Sequence, residues 1–236
     1  MLDKSLPYVG FIMKMRKEKL RSLQVPELPE GYTYKFYEDG NENDWARLEA
    51  MVNEFADEES ALKYFNNEYR NPYRSELYKR CVFVCNPDGV PVATATAWFM
   101  SSSLGVKSWL QWISSDVNFQ GKGLGRAVIA KALSAYKDVD CSSDIYLHTQ
   151  TWSHKAAYLY WKLGFELFLC DDIKVAWHRE PYFRVMKNDP LTALDEMAKV
   201  YTPELVEKMR AGAEKPTADE LIEHELVPPF PPGYTY

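Results

Sequence analysis

The residues best suited to hold a charged ligand form one short segment, Gln120-Gly121-Lys122-Gly123-Leu124-Gly125-Arg126. It lies between a run typical of a strand, 108–117, and a run typical of a helix, 124–136. Glycines adopt positive φ angles and let the backbone approach a ligand closely. The free N–H groups at the start of a helix favour an anion, most often phosphate. The spacing therefore predicts a phosphate-binding loop at the entry to a helix.

Three ligand-binding patterns have glycines at similar spacing. A triphosphate-binding P-loop requires Lys and then Ser or Thr after its last glycine, where this chain has Arg126 and Ala127. A dinucleotide-binding turn requires a glycine as its sixth residue, where this chain again has Arg126. The third pattern is Q/R-x-x-G-x-G/A, and Gln120, Gly123 and Gly125 match it.

This third pattern resembles the pyrophosphate-binding signature of the GNAT superfamily of N-acetyltransferases. A second segment, 156–165, is similar to the A-x-x-x-Y-x-x-x-G-F ending of the same family. The resemblance covers residues 32–180. It implies an acetyl-CoA-dependent N-acetyltransferase that moves an acetyl group to a primary amine by direct attack. It also implies the acyl-CoA N-acyltransferase fold.

The resemblance also implies where acetyl-CoA, the expected cofactor, would bind. The pantetheine arm would lie against the strand backbone at 113–115, in a gap before the next parallel strand. The glycine loop would wrap the pyrophosphate. Ser153 stands where many relatives have an asparagine that contacts the cofactor, and the small Ala156 leaves room for it. The predicted cofactor-binding residues are Ile113, Ser114, Ser115, Gln120, Gly121, Lys122, Gly123, Leu124, Gly125, Arg126, Ser153 and Ala156.

Two side chains are predicted to be catalytic. Tyr160 matches the family's tyrosine that protonates the departing thiolate, and a phenol with a pKa of ~10 remains protonated at neutral pH. The alternative for Tyr160 is a packing aromatic. His148 matches a position where some relatives carry a catalytic glutamate, and imidazole suits a base that removes the proton of an ammonium. The alternative for His148 is a packed strand histidine.

Composition and charge narrow the function classes. The 236 residues carry a formal net charge of −6, which disfavours a nucleic-acid binder. The four cysteines have no metal-ligand spacing, and we expect no metal site. No apolar run is long enough to span a bilayer, and no signal-peptide pattern is present. We therefore expect a cytoplasmic protein with no membrane or nucleic-acid partner. The family resemblance implies a small-molecule or peptide amine as the substrate.

The element order predicts the architecture. A strand, helices, three or four antiparallel strands, and then alternating helices and strands indicate a mixed α/β fold. The sheet is expected to be mostly antiparallel with flanking helices, and the strand–helix–strand crossover within 108–151 predicts one parallel pair. The predicted divisions are an N-terminal arm (1–30), the acetyltransferase domain (31–186) and an acidic helical C-terminal extension (187–236).

The C-terminal extension allows more than one interpretation of its packing and of the protein's function. Its apolar residues at helical spacing predict that it packs on the parent domain. The alternatives are that it covers the acceptor cleft or crosses to a second subunit in a homodimer. Its acidic, proline-rich end also favours an alternative function, a catalytically silent CoA-binding protein that regulates or contacts a partner.

Overall fold

The computed structural model describes residues 2–139, 143–177, 183–222 and 224–226. These residues contain one nine-stranded sheet. The strands are β1 (Gly10–Met15), β2 (Thr33–Phe36), β3 (Cys81–Cys85), β4 (Pro91–Ser102), β5 (Gly105–Ser115), β6 (Ile145–Gln150), β7 (Glu166–Leu167), β8 (Ile173–Ala176) and β9 (Phe183–Met186). The α-helices are α1 (Asn41–Met51), α2 (Glu58–Phe65), α3 (Asn71–Arg80), α4 (Leu124–Ala135), α5 (His154–Lys162), α6 (Pro190–Met197) and α7 (Pro203–Gly212).

The strand order in the sheet is β2-β3-β4-β5-β6-β1-β7. Neighbouring strands are antiparallel except β5 and β6, which run parallel. A crossover through α4 joins this parallel pair, since parallel neighbours cannot be joined by a hairpin. The hairpin of β8 and β9 attaches to the end of β4. The predicted mixed α/β class is confirmed, with a mostly antiparallel sheet and flanking helices.

The N-terminal segment supplies an interior strand. Residues 1–30 were expected to form an arm, but β1 lies between β6 and β7 and all six of its residues are buried. It pairs with β6 along its whole length, from Gly10 opposite Gln150 to Met15 opposite Ile145. An interior strand is covered on both faces, which explains its nearly continuous apolar run. Residues 10–15 of this segment are therefore part of the sheet.

The described residues form three hydrophobic clusters, two of which pack helices on opposite faces of the sheet. On one face α4 and α5 pack with Val82, Val84 and Leu110. On the other face α1, α2 and α3 pack with Phe83 and Trp98 in an aromatic-rich core. Successive residues of a strand point to opposite faces, so β3 contributes to both cores. The two helical layers thereby lie on opposite faces of the sheet.

The C-terminal helices pack on the sheet edge that β1 and β7 form. Ala193, Leu194, Met197, Val206 and Met209 are buried, as their helical spacing suggests. The proline-rich end, 228–232, lies outside the described residues. No helix in the described part of the chain is both long and apolar enough to cross a bilayer.

Candidate active site

The gap in this fold lies between β5 and β6. These strands pair at two positions, Ser108 with Ile145 and Trp109 with Tyr146, and then diverge. A bulge in β5 opposite Ala95 accompanies the divergence, and Trp112 within it has a positive φ of 49°. Bulges bend a strand and are frequent next to active sites. The edge of β5 beyond the bulge therefore faces an open cleft.

The glycine loop lies directly beyond the end of β5. Gly121 and Gly123 have φ angles of 81° and 77°, and Gly123 caps the first turn of α4. A Cβ atom at either glycine would have no heavy atom within 4 Å, so the space above the loop is open. Lys122 and Arg126 are exposed beside it. The loop combines free helix-start amides with two cations, which suits an anionic ligand.

The cleft has a volume of about 330 Å³ and brings five of the predicted site residues together: Ile113, His148, Ser153, Ala156 and Tyr160. Among the described residues, the lining of this cavity does not include Ser114, Ser115 or the loop 120–126. The loop nevertheless adjoins it, because a Cβ atom at Gly125 would lie 3.5 Å from the Ser115 Oγ atom. The predicted residues therefore form one cleft and an adjacent anion-binding loop.

Tyr160 projects from α5 into the cleft and is 5% exposed. Burial raises the pKa of its phenol well above the ordinary value, and the negative charges of Glu54 and Glu49 raise it further. The hydroxyl therefore remains protonated at any physiological pH and can act as a proton donor.

His148 projects from β6 into the same cleft. Its Nε2 atom lies 3.1 Å from the backbone oxygen of Lys187. A carbonyl oxygen only accepts hydrogen bonds, so Nε2 donates and Nδ1 of the neutral ring is left as the acceptor. Burial lowers the pKa of His148 below 6.5, which keeps the ring neutral at pH 7. The side chain is available to accept a proton, but it is a weak base.

Ser153 is engaged locally at the start of α5. Its hydroxyl accepts a hydrogen bond of 3.1 Å from the Gln150 side-chain amide, and its backbone N–H donates one of 3.0 Å to the side-chain oxygen of Gln150. The preceding Trp152 donates its indole N–H to the backbone oxygen of Leu6 at 2.8 Å. The N-terminal segment is thereby held along this turn, and Lys4 of that segment lines the cleft.

Comparison with known proteins shows the family of this chain. Residues 44–165, just over half of the chain, match the family model described as Acetyltransferase (GNAT) family. The chain belongs to the GNAT acetyltransferase family. No curated protein sequence matches it.

Solved structures share the GNAT fold. A GCN5-related N-acetyltransferase from Sphaerobacter thermophilus has a TM-score of 0.52 and 19% identity, over 69% of this chain and 49% of that one. A tandem GNAT protein from the clavulanic acid biosynthesis pathway has a TM-score of 0.51 and 12% identity, over 70% and 52% of the two chains. The GNAT chain described here thus spans about half the length of these structures, and the likeness concerns the fold alone.

Glu49 of α1 is a site residue of this GNAT domain that the sequence analysis missed. It is 1% exposed and lines the cleft, and among the described residues its Oε1 atom has no hydrogen-bond partner. Burial raises the pKa of its carboxyl group to about 8; the Ser114 hydroxyl opposes this shift and the charge of Glu54 adds to it. A sequence signal was present, because Glu49 follows Trp45 by four residues and shares the apolar face of the helix.

Aromatic side chains form the other wall of the GNAT cleft. The Trp112 indole N–H donates to the Tyr69 hydroxyl at 2.5 Å, and that hydroxyl donates to the Gln111 oxygen at 2.5 Å. Tyr64 packs on Trp112 with ring centroids 5.0 Å apart. Arg184 of β9 also lines this wall. The wall is amphipathic, since its aromatic rings carry hydrogen-bonding groups, and such walls are typical of sites for organic ligands.

Proposed function

We propose that this protein is an acetyl-CoA-dependent N-acetyltransferase, an acyltransferase that moves an acetyl group to a primary amine by direct attack. The observation that carries the proposal is the diverging pair of β5 and β6, with Tyr160 projecting into the gap and the glycine loop at its end. The acceptor we propose is a small-molecule or peptide amine.

The residues present fit acetyl-CoA. Gly121 and Gly123 leave open space over the first amides of α4, and Lys122 and Arg126 add positive charge there. The backbone of Ile113–Ser115 lies beyond the paired part of β5 and β6, so its edge is open to the pantetheine amides. When bound, acetyl-CoA supplies a thioester whose carbonyl carbon accepts an amine.

Two side chains of the cleft would each carry out one proton transfer, one as the donor and the other as the acceptor. Tyr160 donates its hydroxyl proton to the sulfur that leaves the thioester, which avoids release of a free thiolate. His148 is the base that the sequence predicts, and its Nδ1 atom would accept the proton of the ammonium. The aromatic wall holds the acceptor and limits the access of water, which would otherwise compete with the amine.

Calorimetric titration with CoA and a thiol-release assay with acetyl-CoA and a panel of amines test this proposal together. We expect CoA binding and amine-dependent thiol release. Binding without release from any amine would favour the alternative, a catalytically silent CoA-binding protein. If CoA does not bind, both functions are excluded.

We also propose that residues 187–236 pack on the acetyltransferase domain of the same chain, and we keep the homodimer as the alternative. The burial of Leu194 and Met209 against the sheet edge supports packing within the chain. Light scattering of the intact protein at micromolar concentration distinguishes the two: a mass near 27.4 kDa contradicts the homodimer.

A further inference from the structure

A buried carboxyl oxygen without a hydrogen-bond partner requires an explanation. Glu49 is 1% exposed, and its Oε1 atom is enclosed without a hydrogen-bond partner in the described part of the chain. Buried polar atoms are nearly always paired, since leaving one unpaired costs free energy. Nothing in the packing of α1 requires an acid at this position, because Trp45 and Leu48 beside it are fully buried hydrophobic residues.

Glu49 and Tyr160 reach one cleft from opposite faces of the sheet. The helix α1 belongs to the aromatic core on one face, and α5 belongs to the core on the other. Both side chains line the cleft that opens where β5 and β6 diverge. Their coupling is electrostatic as well as spatial, since the charge of Glu49 raises the pKa of Tyr160. A proton acceptor and a proton donor are thus placed on two sides of the proposed reaction centre.

We propose that Glu49 is the general base of this protein, taking a proton from the ammonium group of the acceptor directly or through one water. This inference rests on the proposed acetyltransferase function. The ammonium loses one proton to Glu49, and the neutral nitrogen then bonds to the carbonyl carbon as the carbon–sulfur bond breaks. Tyr160 gives its proton to the sulfur and regains one from the second proton that the nitrogen loses. Glu49 returns its proton to solvent.

The basicity of Glu49 suits this role better than that of His148. Burial raises the pKa of Glu49 to about 8, whereas burial lowers that of His148 below 6.5. An alkylammonium has a pKa of ~10, so Glu49 is the closer match for proton transfer.

Several titratable and charged groups act on Glu49 or share its cleft. They are Glu54 after α1, Cys81 of β3, Tyr160 of α5, Tyr64 and Tyr69 beyond α1, His148 of β6, Arg184 of β9, and Lys4 and Tyr8 of the N-terminal segment.

Glu49→Gln tests the proposal, since it keeps the shape of the side chain and removes its basicity. We expect kcat to fall by about 100-fold, within the range typical of a lost general base. In the parent protein we expect kcat to rise with pH with a midpoint near 8, and in Glu49→Gln we expect this rise to disappear. CoA affinity by calorimetry should stay within about threefold, because the substitution keeps the shape of the side chain and the loop 120–126 does not line the cavity that Glu49 lines. Glu49→Asp should retain the pH-dependent rise with a lower kcat.

Glu54→Gln is the matched control, because it removes a neighbouring carboxylate that raises the pKa of Glu49. It should keep the pH-dependent rise and move its midpoint to lower pH. The proposal is overturned if Glu49→Gln retains the parent pH profile, and loss of that profile in His148→Gln instead would assign the base to His148.

A measurement without substrate separates this inference from the proposed function. In the free protein with 13C-labelled glutamate side chains, one carboxyl resonance should titrate near pH 8 and be missing from Glu49→Gln. If the parent shows no turnover with any amine, the proposed function fails, whatever the titration shows. If turnover occurs but no glutamate titrates above pH 6, the assignment of Glu49 fails.

Discussion

Burial has opposite chemical consequences for Tyr160 and Glu49, although it acts on both through the same physics. Taking an acid out of water penalises its charged form and raises its pKa. The phenol of Tyr160 is thereby kept as a proton donor. The carboxylate of Glu49, once formed, becomes a stronger base than an exposed carboxylate. One low-dielectric cleft can therefore supply a donor and an acceptor from two acidic side chains.

Tyr160→Phe should lower kcat by about 100-fold with little change in CoA affinity, because the ring remains and only the proton donor is removed. Thiol release and calorimetry measure the two effects. Tyr158→Phe is the control, since Tyr158 lies on the same helix but is 38% exposed and does not line the cleft. Unchanged turnover in Tyr160→Phe would remove this residue from the mechanism.

The raised pKa of Glu49 also predicts how the free energy of unfolding depends on pH. The unfolded chain releases this proton near its ordinary pKa of 4.5, whereas the folded protein holds it until about 8. Between these values the folded state binds more protons, so this group lowers stability as the pH rises. The loss is at most roughly 5 kcal/mol, at about 1.4 kcal/mol per pKa unit.

Urea unfolding at pH 5 and pH 9 measures this loss. The parent protein should lose more stability between the two values than Glu49→Gln does. Equal pH dependence in the two proteins would show that Glu49 does not hold a proton in the folded state.

At the scale of elements, the bulge in β5 and the glycine loop lie at the two ends of one short segment, which runs from Trp112 to Gly123. The bulge at Trp112 directs the strand edge away from β6, and the loop then turns the chain into α4. Both features need backbone angles that most residues avoid. These strained backbone angles let the two strands diverge and open a cleft beside the free amides at the start of α4.

Gly123→Ala tests the loop, because a side chain at φ 77° is strained even in open space. We expect a loss of about 1 kcal/mol in the free energy of unfolding, and an approximately tenfold weaker affinity for CoA. Gly89→Ala is a close match as control, since Gly89 has φ 78° and equally open space in the turn between β3 and β4. The control should lose similar stability and keep its CoA affinity; an equal loss of affinity in both would contradict a specific role for the loop.

At the scale of the whole molecule, a buried ion cluster joins the two ends of the described chain. Lys14 of β1 is fully buried and lies 2.6 Å from Glu220, 3.2 Å from Asp144 and 3.8 Å from Glu214. Tyr146 also donates a hydrogen bond to Glu220. Burial by itself raises the pKa of Glu220, but hydrogen bonds from Lys14, Thr217 and Tyr146 outweigh it and hold this pKa at about 2.

Lys14→Met should destabilise the protein by about 3–5 kcal/mol, because it leaves buried carboxylates without their cation. Lys187→Met is the control; Lys187 also pairs with a carboxylate, Asp172, but its side chain is 78% exposed, so its loss should cost less than about 1 kcal/mol. Chemical denaturation measures both. Similar small effects would show that the cluster does not hold β1 in the sheet.

The cluster also predicts acid sensitivity. A carboxyl group whose pKa is lowered on folding stabilises the protein above its unfolded pKa, and this contribution is lost as the pH falls. For Glu220 the loss should extend from pH 4.5 down to about 2. Glu220→Gln should therefore unfold with a weaker pH dependence in this range, as circular dichroism at stepwise lower pH would measure. A parallel pH dependence in parent and variant would contradict the lowered pKa.

The sequence by itself determined the features that depend on contiguous residues. The positive φ angles of the glycine loop, the start of α4 and the one-turn spacing of Ala156 and Tyr160 are local, since they are set within one or two turns of backbone. The order of elements was equally readable from hydrophobic periodicity. The mixed α/β fold followed from that order.

Only the tertiary structure decided which distant residues meet. Strand periodicity cannot tell where in a sheet a strand inserts, so the position of β1 between β6 and β7 required the folded chain. Lys14 and Glu220 are 206 positions apart, and Glu49 and Tyr160 approach one cleft from opposite faces of the sheet. Such contacts arise from packing of the whole core, whereas local backbone preference acts only over neighbouring residues.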